Sequence, residues 1–476
     1  MSRSIRVRKT KLIATIGPAC DSPETIAAMV DAGMNVARLN FSHGSHEEHH
    51  ARLQMIRQVS QERDANVAVL LDTKGVEIRT GPMQEGGAEL EIGGDFTFYD
   101  EERLGDAEGA SLSYAGLARE VEPGAAILLS DGMIELRVVE TQAAALRCQV
   151  VRGGWLGAHK GVNLPGTTLS LPVMSSENRA DLLFAIAHDI VYVAASFVRS
   201  AADIREIRHF LAEHGARISI IAKIETAEAV ANLDEIVAES NGVMVARGDL
   251  GVELPLQEVP SVQKKIIHTT VTNGKPVITA TQMLDSMERQ LVPTRAEVSD
   301  VANAILDGTS AVMLSGETAI GAHPVEAVRT MATLAMEAER SLAEYGHLQQ
   351  VLPEPSNVVA DAVGHAAIAM ATHLDAAAIL ALTETGFTVR AISKYRPACA
   401  ILGITTSPDV VRRFAMNWGV AGVLCEASNS NEEMIQRGIE RGRALGYLES
   451  GDLVVATAGM HGGTGTTDSL RVLAVD

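Results

Sequence analysis

Two short strings in the middle of the chain carry the residue types most able to do chemistry: Lys223-Ile-Glu225 and Arg247-Gly-Asp249. Ile224 separates Lys223 from Glu225, so in an extended chain both charged side chains leave the same face. Each string follows a short apolar run, Ile218 to Ala222 and Gly242 to Ala246. In a parallel sheet, chemistry collects at the carboxyl ends of the strands. Glu225 and Asp249 make a hard-oxygen pair suited to Mg²⁺ or Mn²⁺, and Lys223 adds a cation beside them. Such a set suits an anionic substrate whose charge moves during reaction. A single charged residue after a strand is usually the chain meeting water. Repetition along the chain argues otherwise.

Arg38, Asn40 and Ser42 alternate along one apolar run and so share a face. Asp72-Thr73-Lys74-Gly-Val-Glu77-Ile-Arg79-Thr80-Gly81 follows another run, Thr281-Gln282 a third and Ser315-Gly-Glu317-Thr318 a fourth. Polar clusters after most strands of one series surround a single mouth. By contrast, His46-Glu47-Glu48-His49-His50 matches the zinc-protease pattern only formally. It has no third ligand at a recognisable spacing, and reads as a solvated helix face on the outside of the fold. Thr383-Glu384-Thr385-Gly386-Phe387-Thr388 and the run around Gly463 and Gly465 each follow a strand. Together they form either an anion nest or an ordinary crossover loop, and both readings stand.

The elements that must hold these groups alternate. Strands are expected at Lys11 to Gly17, Val36 to Ser42, Val67 to Asp72, Ile190 to Phe197, Arg217 to Ile224, Gly242 to Ala246, Val277 to Thr281 and Ala311 to Leu314. Helices are expected between them, beginning with the cap, proline and acid of Ser22-Pro23-Glu24. Eight such units make a TIM (β/α)8 barrel of the α/β class. From Gly81-Pro82 to about Pro172 the pattern turns to β alternation, with a hairpin signal at Asp131-Gly132, and reads as an inserted β-barrel lid domain. The expected organisation is barrel over 1–81, lid over 82–172, barrel again over 173–350, and a C-terminal open α/β domain over 351–476. A proline-bearing linker, Val351-Leu-Pro-Glu-Pro-Ser, introduces the last part.

Composition narrows the function. The chain has 476 residues, 46% of them hydrophobic, and can bury more than one core. Only 3% are aromatic, and 60 acids against 40 bases give a formal charge of −20, which argues against nucleic-acid partners. The four cysteines form no CxxC pair, so neither a zinc knuckle nor a disulfide framework is expected and a reducing cytoplasm fits. The basic start, MSRSIRVRKTK, lacks the apolar core of a signal peptide, and no stretch of about 20 apolar residues predicts a membrane span.

Several strings resemble the pyruvate kinase family: Ile-Gly-Pro-Ala (16–19), Ala-Arg-Leu-Asn-Phe-Ser-His-Gly (37–44), the 72–81 run, Lys-Gly-Val-Asn-Leu-Pro-Gly (160–166), Ala-Ser-Phe-Val-Arg (195–199) and Met-Val-Ala-Arg-Gly-Asp-Leu-Gly (244–251). Ala-Thr-Gln-Met-Leu (280–284), Pro-Thr-Arg-Ala-Glu (293–297) and Met-Leu-Ser-Gly-Glu-Thr-Ala (313–319) complete a resemblance that covers the whole chain in order. It implies phosphoryl transfer from phosphoenolpyruvate to ADP, giving pyruvate and ATP, the last step of glycolysis. It implies Mg²⁺ on Glu225 and Asp249, and phosphate held by Lys223 and Arg38. Gly248, Asp249 and Thr281 would receive the substrate carboxylate, with Thr281 on the proton path to the enolate carbon. The family's K⁺ would fall on Asn40, Ser42, Asp72 and Thr73, and Glu77 with Thr73, Lys74 and Thr80 matches the K⁺-requiring type. Nucleotide contacts would be Pro18, Asn40, His43, Arg79 and Lys160, the last on a lid that closes and excludes water. A homotetramer is implied, with a sugar-phosphate or nucleotide-monophosphate effector at Thr383, Glu384, Thr385, Gly386, Thr388, Gly463 and Gly465.

The chain departs from the family pattern at Val76, where proline is usual, and at Ser176-Glu-Asn-Arg179. Gly386-Phe387-Thr388 lacks the basic residue of members with a strong fructose bisphosphate site, so the effector stays open. Rival readings are a metal-enolate lyase or aldolase, which would not need Arg79 and Lys160, and a catalytically dead metabolite-binding homologue. Lys223→Met separates the two halves of the implied reaction. It should abolish phosphoryl transfer yet leave exchange of the methyl protons of pyruvate; transfer without exchange would refute the role given to Lys223.

Overall fold

A computed structural model describes residues 7–346, 351, 359–428, 430–459 and 467–476. Gly463 and Gly465, and the linker from residue 352 to 358, lie outside the described residues. Eight parallel strands close a barrel: Lys11–Thr15, Val36–Asn40, Ala68–Asp72, Tyr192–Ala195, Ser219–Ile224, Gly242–Ala246, Val277–Ala280 and Ala311–Leu314. They follow one another around the ring in chain order, and the first pairs with the eighth through Lys11 and Ala311.

The strands are almost wholly buried, as parallel strands covered on both faces must be, and so read as near-continuous apolar runs. Their alternation still sorts two cores. Leu12, Ala14, Ala37, Leu39 and Leu71 face the surrounding helices. Ile13, Val36, Ala68, Leu70, Tyr192, Ala194, Ile221 and Met244 fill the barrel. One step further along those inward rows stand Thr15, Arg38, Asp72, Ser196 and Lys223. The inward face is therefore apolar at depth and polar at the carboxyl end.

The chain leaves the barrel and returns by two segments hydrogen-bonded side by side, Thr80 N–H to Lys160 O at 2.9 Å and Val162 N–H to Ile78 O at 2.9 Å. Between them, a six-stranded sheet and a two-stranded ribbon enclose one apolar core centred on Phe96, Phe98 and Leu136. The strands Ala126–Leu129 and Ile134–Gln142 form the hairpin foreseen at Asp131-Gly132. Residues 78–81 run between the two outermost strands, Val162–Asn163 and Gly109–Ser111, and close the ring: Val162 N–H donates to Ile78 O at 2.9 Å and Gly81 N–H to Ser111 O at 2.8 Å.

The C-terminal part is a five-stranded sheet, four strands parallel and the last, Thr467–Ala474, antiparallel. It seals the bottom of the barrel. Ala415 and Met416, in a tight turn over Phe414–Met416, belong to the same buried cluster as the barrel interior. Lys11 Nζ donates to Val420 O at 2.7 Å, and Gly419 N–H to Lys9 O at 2.9 Å. Two expectations need correction. The single helix foreseen between Ile224 and Gly242 is two, Ala227–Ala231 and Leu233–Glu239, broken at Asn232, whose side-chain amide donates to Arg199 O. Asp249 is not at a strand end: the strand stops at Ala246 and Asp249 lies in the short helix Arg247–Glu253.

Met416 is fully buried in the barrel plug. Met416→Ala should cost about 2–4 kcal/mol in urea unfolding, while Met416→Leu, which conserves volume, should cost less than about 1.5 kcal/mol.

Candidate active site

The polar tier at the barrel mouth is one connected network. Asp72 Oδ2 accepts from Arg38 Nε at 2.7 Å, and Asp72 Oδ1 lies 3.2 Å from Lys223 Nζ. Arg38 also donates to Thr15 Oγ1 at 2.9 Å. Lys223 donates to Ser196 Oγ at 2.8 Å and pairs with Glu225 Oε1 at 2.9 Å. Burial would by itself raise the Asp72 carboxyl, but the charges of Lys223 and Arg38 outweigh it and hold the group below its usual range. Lys223 is the converse case. Burial works against its charge, yet Asp72 and Glu225 push its pKa up, so it is a permanent cation.

Glu225 and Asp249 form the second tier. Burial, with the neighbouring Asp249 charge, outweighs Lys223 and pushes the Glu225 carboxyl up to about 7. Burial likewise raises Asp249 against the pull of Lys223, with Glu77 adding to the repulsion. The Asp249 charge hinders ionisation of Glu225, while a hydrogen bond from Glu225 favours the Asp249 carboxylate, and a divalent cation between the two would relieve the first effect. Two oxygen ligands with room for water and substrate suit Mg²⁺ or Mn²⁺. Phe197, itself at φ +54°, donates its N–H to Glu225 Oε2 and aims that carboxylate. Gly75 makes room for this turn: at φ +74°, a Cβ there would lie 2.6 Å from the Phe197 ring.

Thr281 and Gln282 both take left-handed backbone, φ +63° and +53°, a strained choice for a β-branched residue. The Thr281 hydroxyl accepts from Gly248 N–H at 2.9 Å and donates to Ala280 O at 2.7 Å. Asn40 and Asp72 are register partners on neighbouring strands. Asn40 Oδ1 accepts from Ser42 N–H at 3.2 Å, and the Thr73 carbonyl accepts from Ser196 Oγ at 2.6 Å. This rim offers oxygen donors only, the kind a hard monovalent cation takes.

A cleft of about 630 Å³ separates barrel mouth and insert; Glu77, Arg79, Lys160, Ser196, Asp249 and Glu253 are among its lining residues. Arg79 is turned back onto Glu77 and also donates to His159 O at 3.0 Å. Pro18 and His43 are exposed, and neither they nor Asn40 line this cleft. In the C-terminal sheet, Thr383 caps the following turn by accepting from Gly386 N–H at 2.9 Å. Glu384 and Thr385 are exposed, whereas Thr388 is buried with its hydroxyl on Thr467. Thr388 therefore does not face the loop's outer surface. Arg390, one turn on, donates to Thr385 O at 3.2 Å and supplies a guanidinium that residues 386–388 lack.

The histidine pattern does not converge. His46 pairs with Asp181, His50 lies against His188, and His49 stacks on Phe41, buried rather than solvated. No group of three or more metal-ligating side chains occurs among the described residues. Sequence reasoning missed Thr15 and Ser196, although both continue inward alternations that it had used for Arg38 and Lys223. Arg247 and Phe197 gave no such signal, because their roles depend on turns.

Fold and site together define a (β/α)8-barrel protein whose mouth holds two fixed cations and a carboxylate pair beneath an inserted lid. A family model described as "Pyruvate kinase, barrel domain" matches residues 7–328, and one described as "Pyruvate kinase, alpha/beta domain" matches residues 361–473. A pyruvate kinase of Geobacillus stearothermophilus is 49% identical over 469 residues, 98% of this chain and 80% of that protein. One of Clostridium acetobutylicum is 44% identical over 473 residues, 99% of this chain and 100% of that protein. A crystal structure of a pyruvate kinase from Cryptosporidium parvum superposes with a TM-score of 0.94 at 38% identity, covering 98% of this chain and 96% of the other. The chain belongs to the pyruvate kinase family, and it is an enzyme.

The raised Glu225 pKa has a pH consequence. Between its ordinary 4.5 and about 7, the folded metal-free protein binds more protons than the unfolded chain. Stability without metal should therefore fall as pH rises through that window. Mg²⁺ held by Glu225 would displace the same proton, so its affinity should rise through the window and level off above it. Titration calorimetry and thermal melts should show both slopes, and Glu225→Gln should flatten them.

Proposed function

We propose that this enzyme transfers the phosphoryl group of phosphoenolpyruvate to ADP and protonates the resulting enolate to pyruvate. The observation that carries the reading is Lys223: a largely buried amine, kept charged between Asp72 and Glu225, beside the Glu225–Asp249 pair. Mg²⁺ or Mn²⁺ on Glu225 and Asp249 would supply positive charge where the substrate's carboxylate and enolate oxygens gather negative charge.

Lys223 and Arg38 bind and neutralise the phosphoryl group in transit. Because Lys223 does not lose its proton, it serves as a fixed charge and not as a proton carrier. The N–H groups at Gly248 and Asp249 receive the substrate carboxylate. Gly248 N–H, now on Thr281 Oγ1, exchanges that partner for the carboxylate, and the Thr281 hydroxyl turns its proton from Ala280 O toward the substrate. Thr281, directly or through a water molecule, then lies on the proton path to the enolate carbon. Protonation draws the reaction forward, because the ketone is far more stable than the enol.

K⁺ would sit on Asn40, Ser42, Asp72 and Thr73, with Glu77 marking the K⁺-requiring type. ADP would contact Pro18, Asn40, His43, Arg79 and Lys160, with residues 82–172 closing over it to exclude water. Arg79 must leave Glu77 to reach a nucleotide, a rearrangement that fits lid closure. A sugar phosphate or nucleotide monophosphate would act at the 383–388 loop, in a cytoplasmic homotetramer serving glycolysis.

Pyruvate formation from phosphoenolpyruvate and ADP with Mg²⁺ tests the reading, with K⁺ present or replaced by a tetraalkylammonium ion. ADP-dependent turnover that requires K⁺ is expected, and Glu77→Lys should relax the requirement by placing a cation at the same rim. Folded protein with no turnover under any effector would favour the inactive metabolite-binding homologue.

A further inference from the structure

Arg247 precedes the substrate-facing Gly248 and Asp249, but its own side chain turns away from the mouth. Its guanidinium reaches the loop after the seventh barrel strand. Nε donates to Ala280 O and Thr281 O, both at 3.2 Å, and one Nη donates to Thr281 O at 2.6 Å and Gln282 O at 3.2 Å. The other Nη binds both carboxylate oxygens of Asp300 at 2.8 and 2.6 Å. Asp300 lies on the helix Arg295–Leu306, so the fork is anchored from behind. The three carbonyls it gathers belong to the residues around the left-handed pair Thr281 and Gln282. Strained backbone persists where surrounding contacts over-determine it. Planar, multiply bonded and only 10% exposed, Arg247 is the side chain that does so here.

We propose that Arg247, held by Asp300, is a positioning residue for proton delivery: it locks the 280–282 turn so that the Thr281 hydroxyl faces the enolate carbon. The inference rests on the reaction proposed above. In that step the enolate carbon takes one proton from the Thr281 hydroxyl, or from a water it holds, and the hydroxyl is replenished from solvent. Arg247 exchanges no proton itself. It also ties the helix carrying Gly248 and Asp249 to the turn carrying Thr281. The carboxylate-binding N–H groups and the proton path are thereby held at one spacing, from two different strands.

The test is exchange of pyruvate methyl protons in D₂O, with Mg²⁺, K⁺ and ATP, followed by NMR beside forward turnover. The proteins are wild type, Arg247→Met, Arg247→Lys, Asp300→Asn, Thr281→Ala and the double variant Arg247→Met with Thr281→Ala. A misplaced group of this kind should slow exchange and kcat by about 100-fold in Arg247→Met. The KM for phosphoenolpyruvate and the Mg²⁺ activation constant should stay at their wild-type values. Arg247→Lys should recover part of the loss, and Asp300→Asn should show a smaller one. The double variant should be no slower than Thr281→Ala, since both changes remove one function.

Wild-type exchange in Arg247→Met would overturn the proposal, as would losses that simply multiply in the double variant. A shifted Mg²⁺ activation constant would also overturn it, because the helix rather than the turn would then have moved. If Arg247→Met does not fold, Asp300→Asn and its double with Thr281→Ala decide by the same comparisons. A wild type that neither turns over nor exchanges refutes the reaction itself, an outcome distinct from failure of the Arg247 variants alone.

Discussion

The site depends on one shared carboxylate. Asp72 is fully buried, and a charge in that position would be untenable alone. Arg38 on one side and Lys223 on the other make it stable, and Asp72 in turn keeps two cations in a place where burial opposes them. Removing Asp72 would strip Arg38 of its carboxylate and leave Lys223 with Glu225 alone, which is far more costly than the net worth of a pair. The network thus holds two fixed positive charges at the mouth of an overall acidic protein. On the proposed reading, a divalent cation on Glu225 and Asp249 would tip this mouth to net positive, so that an anion would meet local attraction against the global charge of −20.

Around this tier the fold divides its labour. The barrel interior below is dry and apolar, and the C-terminal part completes it by inserting Ala415 and Met416 from beneath. Above, the insert is joined by two hydrogen-bonded crossing segments, and Lys160 lines the cleft between it and the barrel mouth. The bottom therefore serves stability and the top serves chemistry, the usual partition in barrels of this kind. The C-terminal sheet contacts the barrel at the face away from the site. That packed interface includes the bonds from Lys9 and Lys11 to carbonyls of the C-terminal part.

Much of this was legible in the chain. The eight strands stand where the apolar runs place them, and the strands Gly242–Ala246 and Ala311–Leu314 match to the residue. Lys223 and Glu225 emerge on one face, as the intervening Ile224 requires, and Arg38 joins them through Asp72. Strand ends were overcalled by one or two residues at Gly17, Ser42, Phe197 and Thr281. These positions lie where the backbone turns, and an alternating pattern carries no information about where pairing stops.

The covalent sequence by itself determined the class of fold, the interruption by a β insert, and the identity of the charged groups at the mouth. Those follow from periodicity and residue type, which are local properties. Tertiary structure alone decided how the charges share partners. It made Asp72 the common anion of Arg38 and Lys223, moved Asp249 from a strand end to a helical turn, buried Thr388 against Thr467, and brought the Arg247 guanidinium to three carbonyls beyond the next strand. Each of these joins residues distant along the chain through turns that depart from regular strand or helix. The energy of such a contact depends on burial and on what else competes for the same atoms, and neither is written in any short stretch of sequence.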